Sequence, residues 1–137
     1  VEEFVAQHPN ARSYASLGQL RYLSCVAQVA GVVGNSSSGL TEVPTFRKGT
    51  INIGDRQRGR LQALSVINCE PTQQSISAAL AKLYSADFQA SLSQVRNPYG
   101  EGGASEKVEE TIKHHAIDAI IKKVFFDFPH IDRGRMK

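Results

Sequence analysis

There is no tryptophan in these 137 residues, and only two cysteines, one methionine and 7% aromatic residues. Cys25 and Cys69 lie far apart without CxxC spacing, so neither a disulfide framework nor a zinc site has support. Each stands in an apolar context and is expected to be a buried thiol. No pair of the four histidines has metal-ligand spacing: His8 stands in a turn, His114 and His115 on a polar helix face, His130 in the tail. No apolar run approaches the ~18 residues of a membrane-spanning helix, and nothing reads as a signal peptide. The expectation is a cytoplasmic protein with no membrane partner.

Charge is only mildly unbalanced, at +3, but it is clustered. Arg47, Lys48, Arg56, Arg58 and Arg60 stand against one acid, Asp55, and the tail IDRGRMK carries Arg133, Arg135 and Lys137. Such clusters serve an anionic partner or simply a solvated basic face. A nucleic-acid-binding module is the one non-enzymatic class that this pattern raises. It is disfavoured because the few aromatics are not interleaved with the cations as a stacking platform requires.

The length fits one domain with a sizeable core. VEEFVAQHPN reads as the last turns of a helix, stopped at His8-Pro9-Asn10, as though the chain begins in mid-element. Residues 12 to 15 are expected to form a short strand. Ser16 then caps a helix whose inward stripe is Leu20, Leu23, Ala27 and Ala30. AGVVG (30–34), TINIG (50–54) and SVINC (65–69) are short β-rich runs. After SVINC comes Pro71-Thr72 and a helix with Ile76, Ala79, Leu80 and Leu83 on one face. Short apolar strands alternating with helices predict an α/β fold, a parallel sheet with helices on both faces.

Phe88, Leu92 and Val95 continue at helical spacing, and NPYGEGGAS (97–105) is a loop by its proline and glycines. Ser105 is expected to open the longest helix, running to Val124, with early Glu106, Glu109 and Glu110 and late Lys122 and Lys123 matching the helix dipole. Its expected buried stripe is Val108, Ile112, Ala116, Ala119, Ile120 and Val124. The ending VFFDFPHIDRGRMK carries more apolar surface than a loose tail needs, so something is expected to cover it.

The stretch VVGNSSSGLTEVPTF (32–46) carries the strongest chemical signal. It sits where a parallel strand hands over to a helix, the edge at which open α/β sheets bind ligands. The first amides of a helix lack internal partners and the dipole favours an anion. Gly34 and Gly39 permit a tight turn and close approach; Ser36, Ser37 and Ser38 add uncharged donors. Each donor to a charged phosphate oxygen contributes roughly 1.5–3 kcal/mol. The glycine spacing matches the Walker loop, but Leu40 occupies the lysine position, which argues against triphosphate hydrolysis. Glu42, one turn on, would repel a phosphate yet accept from the two hydroxyls of a ribose. A nucleoside diphosphate satisfies both halves; a plain helix cap is the alternative. Pro44 limits the helix to a short bent element ending near Phe46.

NIGDRQRGR (52–60) follows a strand and so emerges at the same sheet edge. Arg56 and Arg60 are placed to reach the phosphates or sugar of a shared cleft, while Arg58 reads as part of a surface loop.

GNSSSG (34–39), Glu42, NIGDRQRGR (52–60), SVINC (65–69) and NPYGEGGAS (97–105), in this order and spacing, resemble the carboxyl-terminal part of the hydrolysing UDP-N-acetylglucosamine 2-epimerases. The likeness spans roughly residues 8 to 126. The non-hydrolysing relatives carry an acidic serine-glycine-glycine turn and lack the NIGDRQ stretch.

The resemblance implies a truncated piece of a GT-B fold, in which two Rossmann-like domains face a cleft and the carboxyl-terminal one grips UDP. It implies that Ser36 and Ser37, with Ser38 and Gly39 of the same turn, hold the diphosphate. Glu42 would hold the ribose hydroxyls and Arg56 the UDP moiety, and the backbone at Leu17 in the SLG turn would approach uracil. The reaction so implied inverts carbon 2 of the sugar by eliminating UDP and hydrating the glycal, giving N-acetylmannosamine and UDP, with no cofactor.

The expected division is a Rossmann-like UDP-binding domain at 1–104, lacking its first strands, and a helix and tail at 105–137 packing back on it or on a missing amino-terminal domain. The expected partners are UDP or a UDP-sugar, that missing domain of the same protein, and further copies in a homo-oligomer, with no nucleic acid and no membrane. The family's acid and base residues lie mostly in the missing part, so the expectation is no catalytic residue within these residues and no activity of the chain alone. A diacetylated bacillosamine nucleotide would be gripped by the same UDP contacts. A GT-B glycosyltransferase shares the fold and diphosphate site, but NIGDRQRGR speaks against it.

Overall fold

The computed structural model describes residues 1–116. Val1–Glu101 forms one compact unit, and a second begins at Gly102. In the first unit, β1 (Gly31–Gly34), β2 (Gly49–Ile53) and β3 (Val66–Cys69) make a parallel sheet in the order β1-β2-β3. This is the expected α/β, Rossmann-like arrangement, and the register aligns Gly34, Asn52 and Asn68 across one edge.

The central strand is buried on both faces from Gly49 to Asn52, its one strongly polar side chain, Asn52, donating to Asn68 Oδ1. On one face Ile51 packs with Ile67, Leu83, Phe88, Leu92 and Val95. Leu83 comes from α4 (Gln73–Leu83), Phe88 from α5 (Ala86–Ser91), and Leu92 from the 3-10 turn that follows. Burying each such side chain contributes about 1.5–3 kcal/mol. Local chemistry starts both helices: Thr72 Oγ1 accepts from Ser75 N at 3.2 Å, and Ser85 Oγ from Phe88 N at 3.4 Å. On the other face lies α3 (Ser38–Thr41), which passes directly into a 3-10 turn over Val43–Phe46. Leu40, Val43 and Pro44 are fully buried there, and the bent element ends at Phe46 as Pro44 predicts.

Several expectations fail. The opening helix α1 (Glu2–Gln7) forms, but residues 12–15 are irregular rather than a strand. Arg12 donates to the carbonyls of Pro9 and Ala11 there, holding a local turn, and among the described residues no strand pairs with it. In α2 (Gly18–Gln28) Ser16 accepts from Gly18 N at 3.2 Å, but the cap position is Leu17. The inward face is Tyr22, Leu23, Val26 and Ala27, leaving Leu20 80% exposed and Ala30 exposed. The helix turns toward Ser38, which Tyr22 meets, and this rotates the stripe. Cys25 is consequently exposed, whereas Cys69 is buried as expected.

In the second unit α6 covers Ala104–His114, opened by Gly103 rather than Ser105 and ended by an extended His115. Val108, Ile112 and Ala116 are exposed, against the expected buried stripe. An amphipathic pattern encodes a face that can be covered without specifying what covers it. Ala119, Ile120, Val124, Lys122, Lys123 and the VFFDFPHIDRGRMK ending lie outside the described residues. Among the described residues no helix is long and apolar enough to cross a membrane.

Candidate functional site

Because the three strands run parallel, the serine turn after β1 and the NIGDRQRGR loop after β2 leave the sheet at one edge. Gln57 joins them, its Nε2 donating to the main-chain carbonyl of Asn35 at 2.7 Å. Ser36 and Ser37 are exposed, and Gly39 and Leu40 are buried beneath them. The turn is closed from within: Gly39 N donates to Ser36 O at 3.2 Å, and Leu40 N and Thr41 N both donate to Ser37 O at 2.9 Å. Among the described residues the amides of Ser36 and Ser37 have no intrachain acceptor. They remain available to an outside anion.

Ser38 differs from its two neighbours. Its hydroxyl donates to the Glu42 carboxylate one turn on, and Tyr22 of α2 reaches the same Ser38 Oγ at 2.7 Å. With the Ser38 proton committed to Glu42, the Tyr22 hydroxyl donates. Glu42 is thus held in place while half-buried, and it borders a cleft of about 510 Å3 with Tyr14, Ser16, Leu17, Gly18 and Tyr22. The cleft brings together Leu17 and Glu42, residues 25 positions apart that sequence reasoning assigned to one ligand.

Arg56 is exposed on the loop that Gln57 anchors, and Arg60 is exposed as well. Arg58, read as a surface residue, borders a second cleft of about 660 Å3 at the ends of β2 and β3, with Asn52, Asp55, Asn68 and Glu70. There Asn52 Nδ2 donates to Asn68 Oδ1 at 2.8 Å, and Asn68 Nδ2 to Gln62 Oε1 at 2.8 Å. Burial pushes the Cys69 thiol up from its ordinary range, and the neighbouring Glu70 carboxylate adds to the effect. Among the described residues no three His, Cys, Asp or Glu side chains converge to hold a metal.

Three side chains that shape this edge escaped sequence reasoning. Tyr22 and Gln57 are two. The third is Asn97, whose Nδ2 donates to Thr41 O and to Thr45 Oγ1, both at 2.8 Å, and so ties the NPYGEGGAS loop to α3. Gln57 belongs to NIGDRQRGR and Asn97 to NPYGEGGAS, but an uncharged amide gives no local signal of the distant partner it will meet. Tyr22 had no signal apart from its place on a helix.

A family profile described as UDP-N-acetylglucosamine 2-epimerase matches residues 1–113. A GDP/UDP-N,N'-diacetylbacillosamine 2-epimerase (hydrolyzing) of Campylobacter jejuni is 38% identical over 118 residues, 85% of this chain and 30% of that protein. Polysialic acid biosynthesis protein P7 of Escherichia coli is 37% identical over 92 residues, 67% of this chain and 24% of that protein. A UDP-N,N'-diacetylbacillosamine 2-epimerase (hydrolyzing) of Legionella pneumophila is 28% identical over 113 residues, 82% of this chain and 29% of that protein. The chain therefore spans less than a third of the length of these curated relatives.

Proposed function

The chain belongs to the UDP-N-acetylglucosamine 2-epimerase family, and from that premise we propose that residues 1–104 are the UDP-gripping part of a hydrolysing UDP-sugar 2-epimerase. The amides and hydroxyls of Ser36 and Ser37 hold the diphosphate, on the turn shaped by Ser38 and Gly39. The carboxylate of Glu42 accepts from the ribose hydroxyls, the main chain at Leu17 lies along the uracil, and the Arg56 guanidinium reaches the UDP moiety.

The observation that carries this reading is the cleft bordered by both Leu17 and Glu42, on the element that follows a turn whose Ser36 and Ser37 amides have no acceptor among the described residues. A half-buried carboxylate on this element and unengaged amides on the turn before it, among the described residues, suit a ligand with vicinal hydroxyls and a phosphate. Ser37 makes no side-chain cap to α3, and the one such contact in the turn, Ser36 Oγ accepting from Ser38 N at 3.4 Å, leaves the amides of Ser36 and Ser37 without an acceptor among the described residues.

In the whole protein the reaction is hydrolysis with inversion at carbon 2, on UDP-N-acetylglucosamine or a diacetylated bacillosamine nucleotide. The acid and base are supplied from outside this chain, which alone binds UDP weakly and epimerises nothing. The working form is a homo-oligomer in the cytoplasm.

A thermal-shift titration with UDP, UMP and GDP tests the assignment, since a ligand that binds only the folded chain raises its melting temperature. UDP is expected to shift it most, and Ser37→Ala and Glu42→Ala to remove the shift. The assignment fails if both variants respond to UDP as the parent does. GDP matching UDP would instead mean that the main chain at Leu17 does not select the base.

A further inference from the structure

Gln57 is 3% exposed, yet it lies in a loop whose neighbours Arg56 and Arg58 are both exposed. Its Nε2 donates to the Asn35 carbonyl at 2.7 Å, while its Oε1 is buried with no partner among the described residues. A buried acceptor without a donor is unfavourable, and an apolar side chain of similar length would fill the space without one. The carboxamide is therefore explained by what its donor does.

That donor sets the direction of one peptide unit. A trans peptide points its C=O and its N–H to opposite sides. With the Asn35 carbonyl drawn inward onto Gln57, the N–H of the same peptide, on Ser36, is turned outward. Ser36 is exposed, and its amide has no intrachain acceptor among the described residues. The same hydrogen bond holds the loop carrying Arg56 against the serine turn, because Arg56 precedes Gln57 in the chain.

We propose that Gln57 is a positioning residue for the diphosphate end of the nucleotide. Its carboxamide clamps the Asn35 carbonyl so that the Ser36 amide and the Arg56 guanidinium converge on the phosphate oxygens. Gln57 touches no ligand atom itself. The inference rests on the nucleotide reading above.

The test compares UDP with uridine, which shares the base and ribose but lacks the phosphates. Both are titrated into the chain and followed by amide chemical shifts, for the parent, Gln57→Leu and Gln57→Met. Each variant is expected to weaken UDP about ten-fold while leaving uridine unchanged, the size expected for one charge-assisted hydrogen bond. Equal losses for UDP and uridine, as a misfolded variant would give, overturn the proposal. So does an unchanged UDP affinity in both variants. A parent chain that binds no UDP removes the nucleotide reading and this inference with it, an outcome distinct from the other two because it appears before any substitution.

Discussion

Thr50 Oγ1 of β2 donates to the Gly39 carbonyl of α3 at 2.8 Å, and a Cβ placed on Gly39 would come within 2.6 Å of the Thr50 side-chain methyl. One contact thus seats the helix on the sheet and sets how near the serine turn lies to it. Thr50 is 2% exposed, so its methyl has nowhere to retreat.

Gly39→Ala is expected to cost ~1–3 kcal/mol through this overpacking, measured by urea unfolding. Thr50→Val keeps the shape but removes the donor, leaving the Gly39 carbonyl short of a partner, and is expected to cost about 1–3 kcal/mol. Of the two, Gly39→Ala should also weaken UDP, because it lifts the turn itself.

The three serines are expected to be unequal. Ser38 spends its proton on Glu42, whereas Ser37 is exposed without a cap bond. Ser37→Ala should therefore reduce UDP affinity more than Tyr22→Phe does, since Tyr22 acts only by orienting Ser38 and Glu42. Isothermal titration of the two variants reads the order directly, and the reverse order would place the ligand on the Tyr22 side.

If Glu42 holds the ribose, its loss should matter less for a sugar already lacking a hydroxyl. Glu42→Ala is expected to weaken UDP by about ten-fold, as loss of a charge-assisted bond does, and 2′-deoxy-UDP by clearly less. Equal losses for both nucleotides would mean that Glu42 serves the fold alone.

The two thiols should separate by pH. Cys25 is exposed, while Cys69 is buried, and burial together with the Glu70 carboxylate pushes its thiol up from the ordinary range, which disfavours the reactive thiolate. Alkylation at pH 8, followed by mass spectrometry, should label Cys25 and spare Cys69. The unfolded chain deprotonates Cys69 first, so its contribution to stability is full below the ordinary thiol pKa and is lost as pH climbs through the folded value.

Gly49 faces Leu83 and Phe88, and a Cβ there would stand 2.2 Å from Leu83 Cδ1. Gly49→Ala is expected to destabilise the first unit by ~1–3 kcal/mol by forcing α4 off the sheet, measured by thermal or urea unfolding.

Strands and their edge were legible because AGVVG, TINIG and SVINC carry local β chemistry, and because parallel pairing puts whatever follows them on one side. The bend at Pro44 was legible for the same reason: a missing N–H acts wherever proline sits. The rotation of α2 was not. Both Leu20 and Val26 are apolar at helical positions, and only the presence of Ser38 beside Tyr22 decides which faces inward. The stripe on α6 failed similarly, since periodicity marks a face and says nothing of its cover.

By itself the sequence determined the alternation of strands and helices, the serine-rich turn and the arginine-bearing loop, since each follows from covalent preferences of residues near one another. Only the tertiary structure decided that Leu17 and Glu42 border one cleft, that Gln57 clamps Asn35, and that Cys25 faces water. Those outcomes depend on pairs distant in the chain, where packing geometry selects among contacts that local chemistry leaves equally open.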